Sequence, residues 1–574
     1  MMKMKFYTLC LSVVAFLSVS CEDVLDKENL GAINPQDVWN DYFLAQAYVD
    51  NIYSKLMPEW SYSSGGASDE APGDGFTLND FLKGNATIDT EDIWHYSTIR
   101  KINILLQEVE KGSLKPDEID KLKGQALFWR AWAYFDMVKR YGGVPLILQP
   151  QDREDEDAIL VSRNKTSECI LQMEEDLNHA IDLLPDSWNG VDYGRIDKGV
   201  AMAFKGRVLL YYASPQFTPN GDQARWQKAY EANKAAVDFL DGQGKGLFAD
   251  FAEVWYEEQN KEAVMFHRYF HPGHTSNQNL LRPIWATRDN VGGDRPTIDL
   301  VNAFPMKDGS DFDPNGGYQD FWKNRDQRFY ATVAYTGSDY GIPKLQPGGV
   351  NEGYLWNYKD ANGNFIEYEL YEEGGNNYTG FYRNKALDKT ITPQTIDQCG
   401  IDWIEIRYAE VLMNYGEAAN EIGKTDEALT VLYKIRERAG IEAGSGNYGI
   451  AESSKEALRE RYMKERQVEF AFEGKRWWDL RRWRRFDVLN NLGRRHALFF
   501  QLKSNAVKPS GWDDLNAVGS LFDFIYTDVE QAAGEAFNLQ EEYYFYGIPK
   551  KHLDVNSNLE QTQGWDGGTF DPLQ

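Results

Sequence analysis

Cysteine is scarce in this 574-residue sequence, and no long apolar run is present. Only 4 cysteines occur. Cys169 and Cys399 alone remain after the N-terminal segment described below, which excludes a disulfide framework. Two buried free thiols are expected, with a single bond between them as the alternative. No stretch beyond the N-terminus reaches about 18 apolar residues, so no transmembrane helix is expected.

Positive charge is also in the minority. Lys and Arg total 61 against 89 Asp and Glu, a formal net charge of −28. Such a chain is a poor partner for a phosphate backbone, so nucleic acid is excluded. An anionic bilayer surface would repel it, and attachment to a membrane must therefore come from something other than charge.

The sequence lacks a nucleophile elbow of the G-x-S-x-G type and a phosphate-binding loop. Only 7 histidines occur. His267, His271 and His274 lie close in sequence, but no Cys or Glu stands at ligand spacing beside them. The Asp-rich segment 308–313 has no complete calcium-ligand pattern. No metal or cofactor is expected.

The N-terminus reads as an export signal. Lys3 and Lys5 precede an apolar run at residues 9–19, and Cys21 follows directly. This order resembles a bacterial lipobox, in which the cysteine is acylated; an ordinary secretory signal is the alternative. We expect a signal peptide at 1–20 and a lipidated Cys21 with a polar tether at 21–34. Loss of the two lysines takes the formal charge from −28 to −30.

Apolar residues at spacings of three and four predict helices through much of the chain. The predicted helices are 36–57, 92–111, 117–141, 167–184, 198–214, 225–240, 408–422 and 426–439. Gly206 and Gly416 would let helix axes approach closely. Pairs of helices of this length resemble tetratricopeptide units, and generic helical packing is the alternative.

Two irregular stretches interrupt these helices. Residues 242–402 are rich in Gly, Asn, Asp and Tyr, with short strands predicted at 263–269 and 331–335. Residues 486–545 are a second irregular stretch. The predicted fold is mainly α, a single domain over 35–574 with a helical scaffold at 35–241 and 403–485. The irregular face is at 58–92 and 242–402, and long ordered loops of this kind are usually functional.

One charged helix near the C-terminus could suggest catalysis. Glu465, Glu469 and Glu473 follow one another at intervals of four, and like charges at that spacing repel unless paired. Arginines within the same segment offer partners at a spacing of three. A partly buried ion-pair lattice is the favoured interpretation, with an acid/base or metal site as the alternative.

Several segments, in a fixed order, carry a family resemblance. They are 130–136 with 141–145, 296–297 with 303–309, 325–328, 407–412 with 417–420, 465–480, and 548–549 with 556–561. Together, behind a lipobox, they resemble the SusD/RagB family of outer-membrane lipoproteins that bind glycans. Gln327 departs from the pattern, since the family usually has proline there.

The resemblance implies a tetratricopeptide-like scaffold with an irregular, non-catalytic glycan-binding face. It also implies an outer-membrane, cell-surface lipoprotein that captures oligosaccharide or polysaccharide and hands it to a SusC-like TonB-dependent transporter. The family tends to build its site on the loops equivalent to 58–85 and 270–295.

Contacts to a sugar are predicted from the chemistry of those loops. A sugar ring has an apolar face for an aromatic plane and a rim of hydroxyls for carboxylates, amides and arginine. The predicted carbohydrate-binding residues are Trp60, Asp69, Phe76, Trp285, Arg288, Asn290 and Trp356. Core packing is the alternative role for each tryptophan.

Two other functions stay open from the residues alone. A glycoside hydrolase on a helical scaffold remains possible because 89 acidic residues always offer pairs. A tetratricopeptide-type scaffold that binds only protein is the other. The sequence does not identify the glycan, its linkage or its length.

Overall fold

The structure, a computed structural model, describes residues 37–60, 64–72, 77–152, 154–282, 294–341, 358–364, 379–504 and 515–574. The N-terminal part is helical. Its α-helices are α1 (Tyr42–Leu56), α2 (Tyr96–Glu108), α3 (Pro116–Tyr141), α4 (Glu156–Ile159), α5 (Thr166–Leu183), α6 (Lys198–Ala213) and α7 (Gln223–Gly242).

The C-terminal part mixes short and long helices. They are α8 (Ile298–Ala303), α9 (Gln327–Thr332), α10 (Tyr408–Glu421), α11 (Thr425–Arg438), α12 (Lys455–Glu469), α13 (Arg476–Arg482), α14 (Phe486–Leu492), α15 (Leu515–Val518) and α16 (Lys550–Val555). In the described part of the chain, no helix combines the length and apolarity needed to cross a bilayer.

Local sequence explains where the long helices begin and end. The Asp41 carboxylate accepts the Phe43 and Leu44 amides, so α1 starts at Tyr42 rather than near residue 36 as predicted. Helix α3 starts with Pro116 and stops at Gly142, whose φ of 76° is the left-handed conformation that glycine favours. The boundaries of α3 match the prediction closely.

The predicted helix pairs are confirmed, and small residues set their spacing. Helix α7 packs on α6 and also on α10, which in turn packs on α11. A Cβ on Gly206 would overlap the Asn233 side chain, and one on Gly416 would overlap the Tyr462 hydroxyl and Val431. These glycines therefore permit the close helix contacts expected of them.

Three small sheets lie outside the helical layers. The strands are β1 (Ala263–His267), β2 (Val333–Tyr335), β3 (Tyr358–Lys359), β4 (Phe381–Arg383), β5 (Trp403–Arg407), β6 (His496–Leu502) and β7 (Phe522–Asp528). β1 pairs with β5 and β2 with β4, both antiparallel. β6 is parallel to β3 and antiparallel to β7, with Leu498 opposite Tyr526.

Two sequence expectations need correction here. The stretch 486–545 is not irregular throughout, because it contains α14, β6, α15 and β7. The apolar run from Ala497 to Phe500 is a buried strand, which shows no alternation of polar and apolar residues. The predicted strand 331–335 begins only at Val333, since residues 331–332 end α9.

The interior is divided among several apolar clusters. The largest belongs to the helices and contains Trp129, while Trp94, Trp132 and Trp477 pack partly buried against it, as expected. A second cluster surrounds Phe321, Phe381 and Phe500, and a third gathers Trp60, Trp255 and Trp403. Cys169 and Cys399 are buried free thiols. Burial raises their pKa values to about 12 and about 11, so neither is a thiolate at neutral pH.

Candidate functional site

The two loops predicted to form the site contact each other near both ends of the second loop. His267 Nδ1 lies 3.0 Å from the Pro58 carbonyl oxygen. Near the other end, the Thr297 amide donates to the Glu70 carbonyl at 3.0 Å. The Thr297 hydroxyl donates to the Asp69 carbonyl at 2.5 Å. Residues 58, 69 and 70 of the first loop are thus tied to the two residues that flank the second loop.

Trp60 lies beneath this junction rather than on it. The side chain is only 3% exposed, and its ring centroid is 5.3 Å from that of Trp403 and 6.0 Å from that of Trp255. Its indole nitrogen donates to the Ile401 carbonyl at 3.2 Å. The prediction that Trp60 stacks on a sugar does not fit this placement, because other indoles cover its faces.

Asp69 is likewise placed in the interior. Its carboxylate accepts two hydrogen bonds from Arg476, at 2.9 and 2.7 Å. A carboxylate engaged in this way is not offered to ligand hydroxyls, so its predicted role also needs correction. Next to it, burial and then the charge of Asp69 raise the pKa of Glu70 to about 8. Glu70 is therefore largely protonated at neutral pH.

The other predicted contacts lie outside the described residues. These are Phe76, Trp285, Arg288, Asn290 and Trp356, together with the lipidation site Cys21. They remain predictions.

Among the described residues of the second loop, Phe270 is an exposed aromatic side chain that the sequence argument did not single out. Residues 270–274 form a tight turn, in which the Phe270 amide donates to the His274 carbonyl at 2.6 Å and the His274 amide returns a bond of 2.9 Å. Phe270 is 51% exposed. An aromatic residue two positions before the Pro272-Gly273 turn was the available signal.

The histidines of the same turn extend this aromatic surface. The His274 ring stacks on Tyr269, with centroids 4.7 Å apart and planes 15° from parallel, and lies 5.1 Å from the His267 ring. His271 and His274 are exposed. We call Phe270, His271 and His274 the loop-junction surface. It offers flat rings with nitrogen atoms at their edges, which suits a sugar face and its hydroxyls.

Two titratable groups near the junction have shifted pKa values. Burial, and to a smaller extent the charge of His274, lower the pKa of His267, and the contact with the Pro58 carbonyl offsets this only in part. Burial raises the pKa of Asp402 to about 6, and its carboxylate accepts the Tyr269 amide at 2.7 Å. Over the described residues, no group of three or more His, Cys, Asp or Glu side chains could hold a metal ion.

The Asp-rich segment 308–313 is also internally satisfied. Asp308 accepts hydrogen bonds from the amide and hydroxyl of Ser310. Asp311 pairs with Arg461 at 2.8 Å and with Lys464 at 2.6 Å. Because these carboxylates already have partners within the protein, they form no open set of calcium ligands.

Glu465, Glu469 and Glu473 belong to a buried ion-pair lattice, which was the favoured interpretation. Their partners, however, differ from those expected. Asp479 does pair with Arg482 at 2.8 Å. Arg466, however, pairs with Asp479 and not with Glu469. Glu473 pairs with Lys385 and Arg407 instead of Arg476. The partners come from distant parts of the chain, which a spacing of three cannot reveal.

Together these groups form a buried charge network. Five cations and five carboxylates take part, all buried. They are Arg328, Lys385, Arg407, Arg436 and Arg438 with Glu262, Asp326, Glu465, Glu469 and Glu473.

The network joins the helical scaffold to the irregular insertion. Glu469 on α12 meets Arg328 on α9 and Arg407 at the end of β5, each at 3.1 Å. Glu262, directly before β1, pairs with Arg438 on α11 at 2.9 Å. Because β1 leads into the 270–274 turn, these pairs fix the base from which the loop-junction surface projects.

Two arginines of the basic run 481–485, Arg481 and Arg482, also lie in the interior. Arg482 pairs with Glu417 and is completely buried. Arg481 is completely buried as well and donates to the Tyr544 carbonyl at 2.9 Å. These two arginines therefore offer no surface to a nucleic acid, in line with the net charge.

Comparison with known families gives two matches. The model of the SusD family matches residues 253–565. A second family model, described as starch-binding associating with outer membrane, matches residues 20–210. The two matches together span nearly the whole described chain.

Individual relatives agree with these matches. A SusD-like protein P2 of Formosa agariphila is 25% identical over 503 residues, which cover 83% of this chain and 91% of the relative. A SusD-like protein of Bacteroides fragilis superposes with a TM-score of 0.73 and 25% identity, covering 92% of this chain and 98% of its own. A SusD-like carbohydrate-binding protein of Bacteroides fragilis superposes with a TM-score of 0.69 and 21% identity, covering 91% and 99%.

Proposed function

Because the chain belongs to the SusD family of non-catalytic carbohydrate-binding proteins, we propose that it binds an oligosaccharide or polysaccharide at the cell surface. It then passes this glycan to a SusC-like TonB-dependent transporter of the outer membrane. The match to a family described as associating with the outer membrane supports this location. The sequence after the export signal supports an acyl anchor at Cys21.

The observation that carries the proposal is the exposed Phe270 ring where the two loops meet. Half of this apolar ring is in water, beside the exposed imidazoles of His271 and His274. A sugar that stacks on Phe270 would bury its own apolar face. The His271 ring and Nε2 of His274 would bond its hydroxyls, since Nδ1 of His274 already lies 2.8 Å from the Arg268 carbonyl oxygen. We propose Trp285, Arg288 and Asn290 of the same loop, with Phe76 and Trp356, as the remaining contacts.

The charge of the chain favours a neutral glycan. A formal net charge of −28 would repel a sulfated or uronate-rich chain at long range. Neutral sugars exchange water for protein hydrogen bonds of similar strength, so modest affinities are expected.

The test is a glycan panel applied to the chain without residues 1–21. Isothermal titration should detect binding to at least one neutral oligosaccharide, with no new reducing ends after prolonged incubation. New reducing ends would instead support a hydrolase. Retained association with a co-expressed transporter, without binding to any glycan, would support a scaffold that binds only protein.

Attachment to the membrane has its own test. Expression with radiolabelled palmitate should label the wild-type chain and place it in the outer-membrane fraction. Cys21→Ser should abolish both results. An unlabelled wild-type chain would contradict the anchor and leave glycan binding unaffected.

A further inference from the structure

We propose that the protein has a second saccharide site, a pocket on the irregular insertion that takes one or two neutral sugar units. The pocket encloses about 280 Å³. That volume is just below the ~300–1,000 Å³ typical of small-molecule sites, which suits a ligand of one or two sugar units. The residues that matter are Trp322, Tyr330, Tyr335, Ser338, Asp339 and Asn384. The inference rests on the proposed function, since it assigns a further site for the same class of ligand.

The pocket is separate from the loop-junction surface. Val333 and Tyr335 of β2 line it, whereas Ala334 between them belongs to the cluster that contains Trp60. Successive side chains of a strand point to opposite faces. The sheet of β2 and β4 therefore stands between the pocket and the core beneath Phe270.

Tyr330 gives the pocket a fixed aromatic wall. Its hydroxyl donates to the Trp322 carbonyl at 2.7 Å and accepts the Arg325 amide at 3.2 Å. The ring nevertheless remains 39% exposed. Because its polar end is engaged within the protein, the group that Tyr330 offers to a ligand is its ring. A ring already held in place loses little entropy when a sugar stacks on it.

Asn384 lines the pocket and carries a hydrogen-bond acceptor without a partner among the described residues. Its amide nitrogen donates to the Tyr330 carbonyl at 2.9 Å. Its Oδ1 is buried and accepts no hydrogen bond from any described residue. A buried acceptor without a partner is unfavourable, and a ligand hydroxyl would relieve this.

The remaining polar groups indicate a neutral ligand. Ser338 accepts the Tyr335 amide at 3.0 Å, and its own hydroxyl can still donate. Asp339 is exposed and accepts the Gly341 amide at 2.9 Å. Among the described lining residues one is a carboxylate and none is Lys or Arg. Hydroxyls are therefore favoured over sulfate or carboxylate groups.

The test uses ligand-observed NMR with methyl glycosides of glucose, galactose, mannose and xylose, and with methyl glucuronide. The wild-type chain should bind at least one neutral glycoside, and methyl glucuronide at least tenfold more weakly. Tyr330→Ala and Asn384→Ala should each weaken the neutral ligand at least tenfold. Tyr330→Phe, which keeps the ring, should stay within about threefold of wild type. Phe43→Ala, at an exposed aromatic of α1, is the matched control and should change nothing.

A charge reversal keeps the test decisive if the alanine variants unfold. Asp339→Lys alters an exposed side chain and should reduce the preference for neutral over uronate ligand at least threefold. The proposed site would be overturned if wild type bound methyl glucuronide as tightly as the neutral glycoside. It would also be overturned if Asp339→Lys left the preference for the neutral glycoside unchanged.

Failure of the pocket is distinguishable from failure of the proposed function. If oligosaccharides still bind, and Phe270→Ala weakens them while folded Tyr330→Ala and Asn384→Ala do not, the pocket is overturned and glycan capture stands. If the wild-type chain binds no saccharide, both are overturned.

Discussion

Asp69 and Arg476 lie 407 positions apart in sequence, yet their side chains form two hydrogen bonds of 2.9 and 2.7 Å in the interior. Asp69 belongs to the first of the two loops at the candidate site, and Arg476 begins helix α13. The pair therefore attaches the loop to the helical scaffold. The loop-junction surface depends on such attachments for its shape.

Asp69→Ala should lower the free energy of unfolding by about 3–5 kcal/mol, because it leaves the Arg476 guanidinium buried without its partner. Urea denaturation monitored by circular dichroism measures this change. Asp554→Ala removes one partner of an exposed pair with Lys550 and should cost at most about 1 kcal/mol. Equal effects of the two variants would show that the buried pair does not hold the loop.

Glu469→Gln should be similarly destabilising, by about 3–5 kcal/mol, since Glu469 pairs with several buried arginines. Glu442→Gln, at an exposed pair with Lys307, is the matched control and should stay within about 0.5 kcal/mol of wild type. A loss no larger than that of the control would mean that the buried charge network contributes little to stability.

The same carboxylate should govern part of the response to acid. Burial would raise the pKa of Glu469, but the charges of its arginine partners outweigh burial and hold the pKa well below its usual range. Its stabilisation is complete above the unfolded pKa of about 4.3 and is lost as pH falls through the folded pKa. Urea denaturation from pH 6 to pH 2 measures this dependence. The free energy of unfolding should fall less steeply with decreasing pH in Glu469→Gln than in wild type.

The pKa of His496 should lie above that of a free histidine, and the pKa of His267 should lie below it. Burial opposes charge on His496, but its contact with Asp299, at 2.8 Å, outweighs burial and raises its pKa. The pKa of His267 is lowered, chiefly by burial. Two-dimensional NMR of the imidazoles should give midpoints above about 6.5 for His496 and below it for His267.

Because the pKa of His496 is raised, its contribution to stability depends on pH in a definite direction. Its stabilising contribution is complete below the unfolded pKa of about 6.5 and is lost as pH rises through the folded pKa. Asp299→Asn should lower the His496 midpoint and remove that dependence. An unchanged midpoint would show that Asp299 is not the cause.

The helical scaffold was largely predictable from sequence because helix formation is a local property. The pattern from Pro116 to Gly142 carried both a start signal and a stop signal, and the structure follows it. The small residues Gly206 and Gly416 likewise indicated close helix contacts that the structure contains. The buried strand β6 was missed, because an apolar run without alternation does not distinguish a strand from irregular core.

The site was less predictable because exposure is not a local property. The resemblance pointed to two loops as the place of the site, yet within them Trp60 packs between two other indoles while Phe270 is half exposed. Sequence position gave no means to tell these two aromatics apart. The partners of Glu469 are equally non-local, since Arg328 lies 141 positions away.

The most direct test of glycan capture is the affinity of Phe270→Ala for the best oligosaccharide on the panel. Isothermal titration should show a loss of at least tenfold, about 1.4 kcal/mol, with the melting temperature unchanged because the ring is half exposed. Phe43→Ala, whose ring is 83% exposed on the helical scaffold, should bind like wild type. Equal affinities of the two variants would contradict capture at the loop junction.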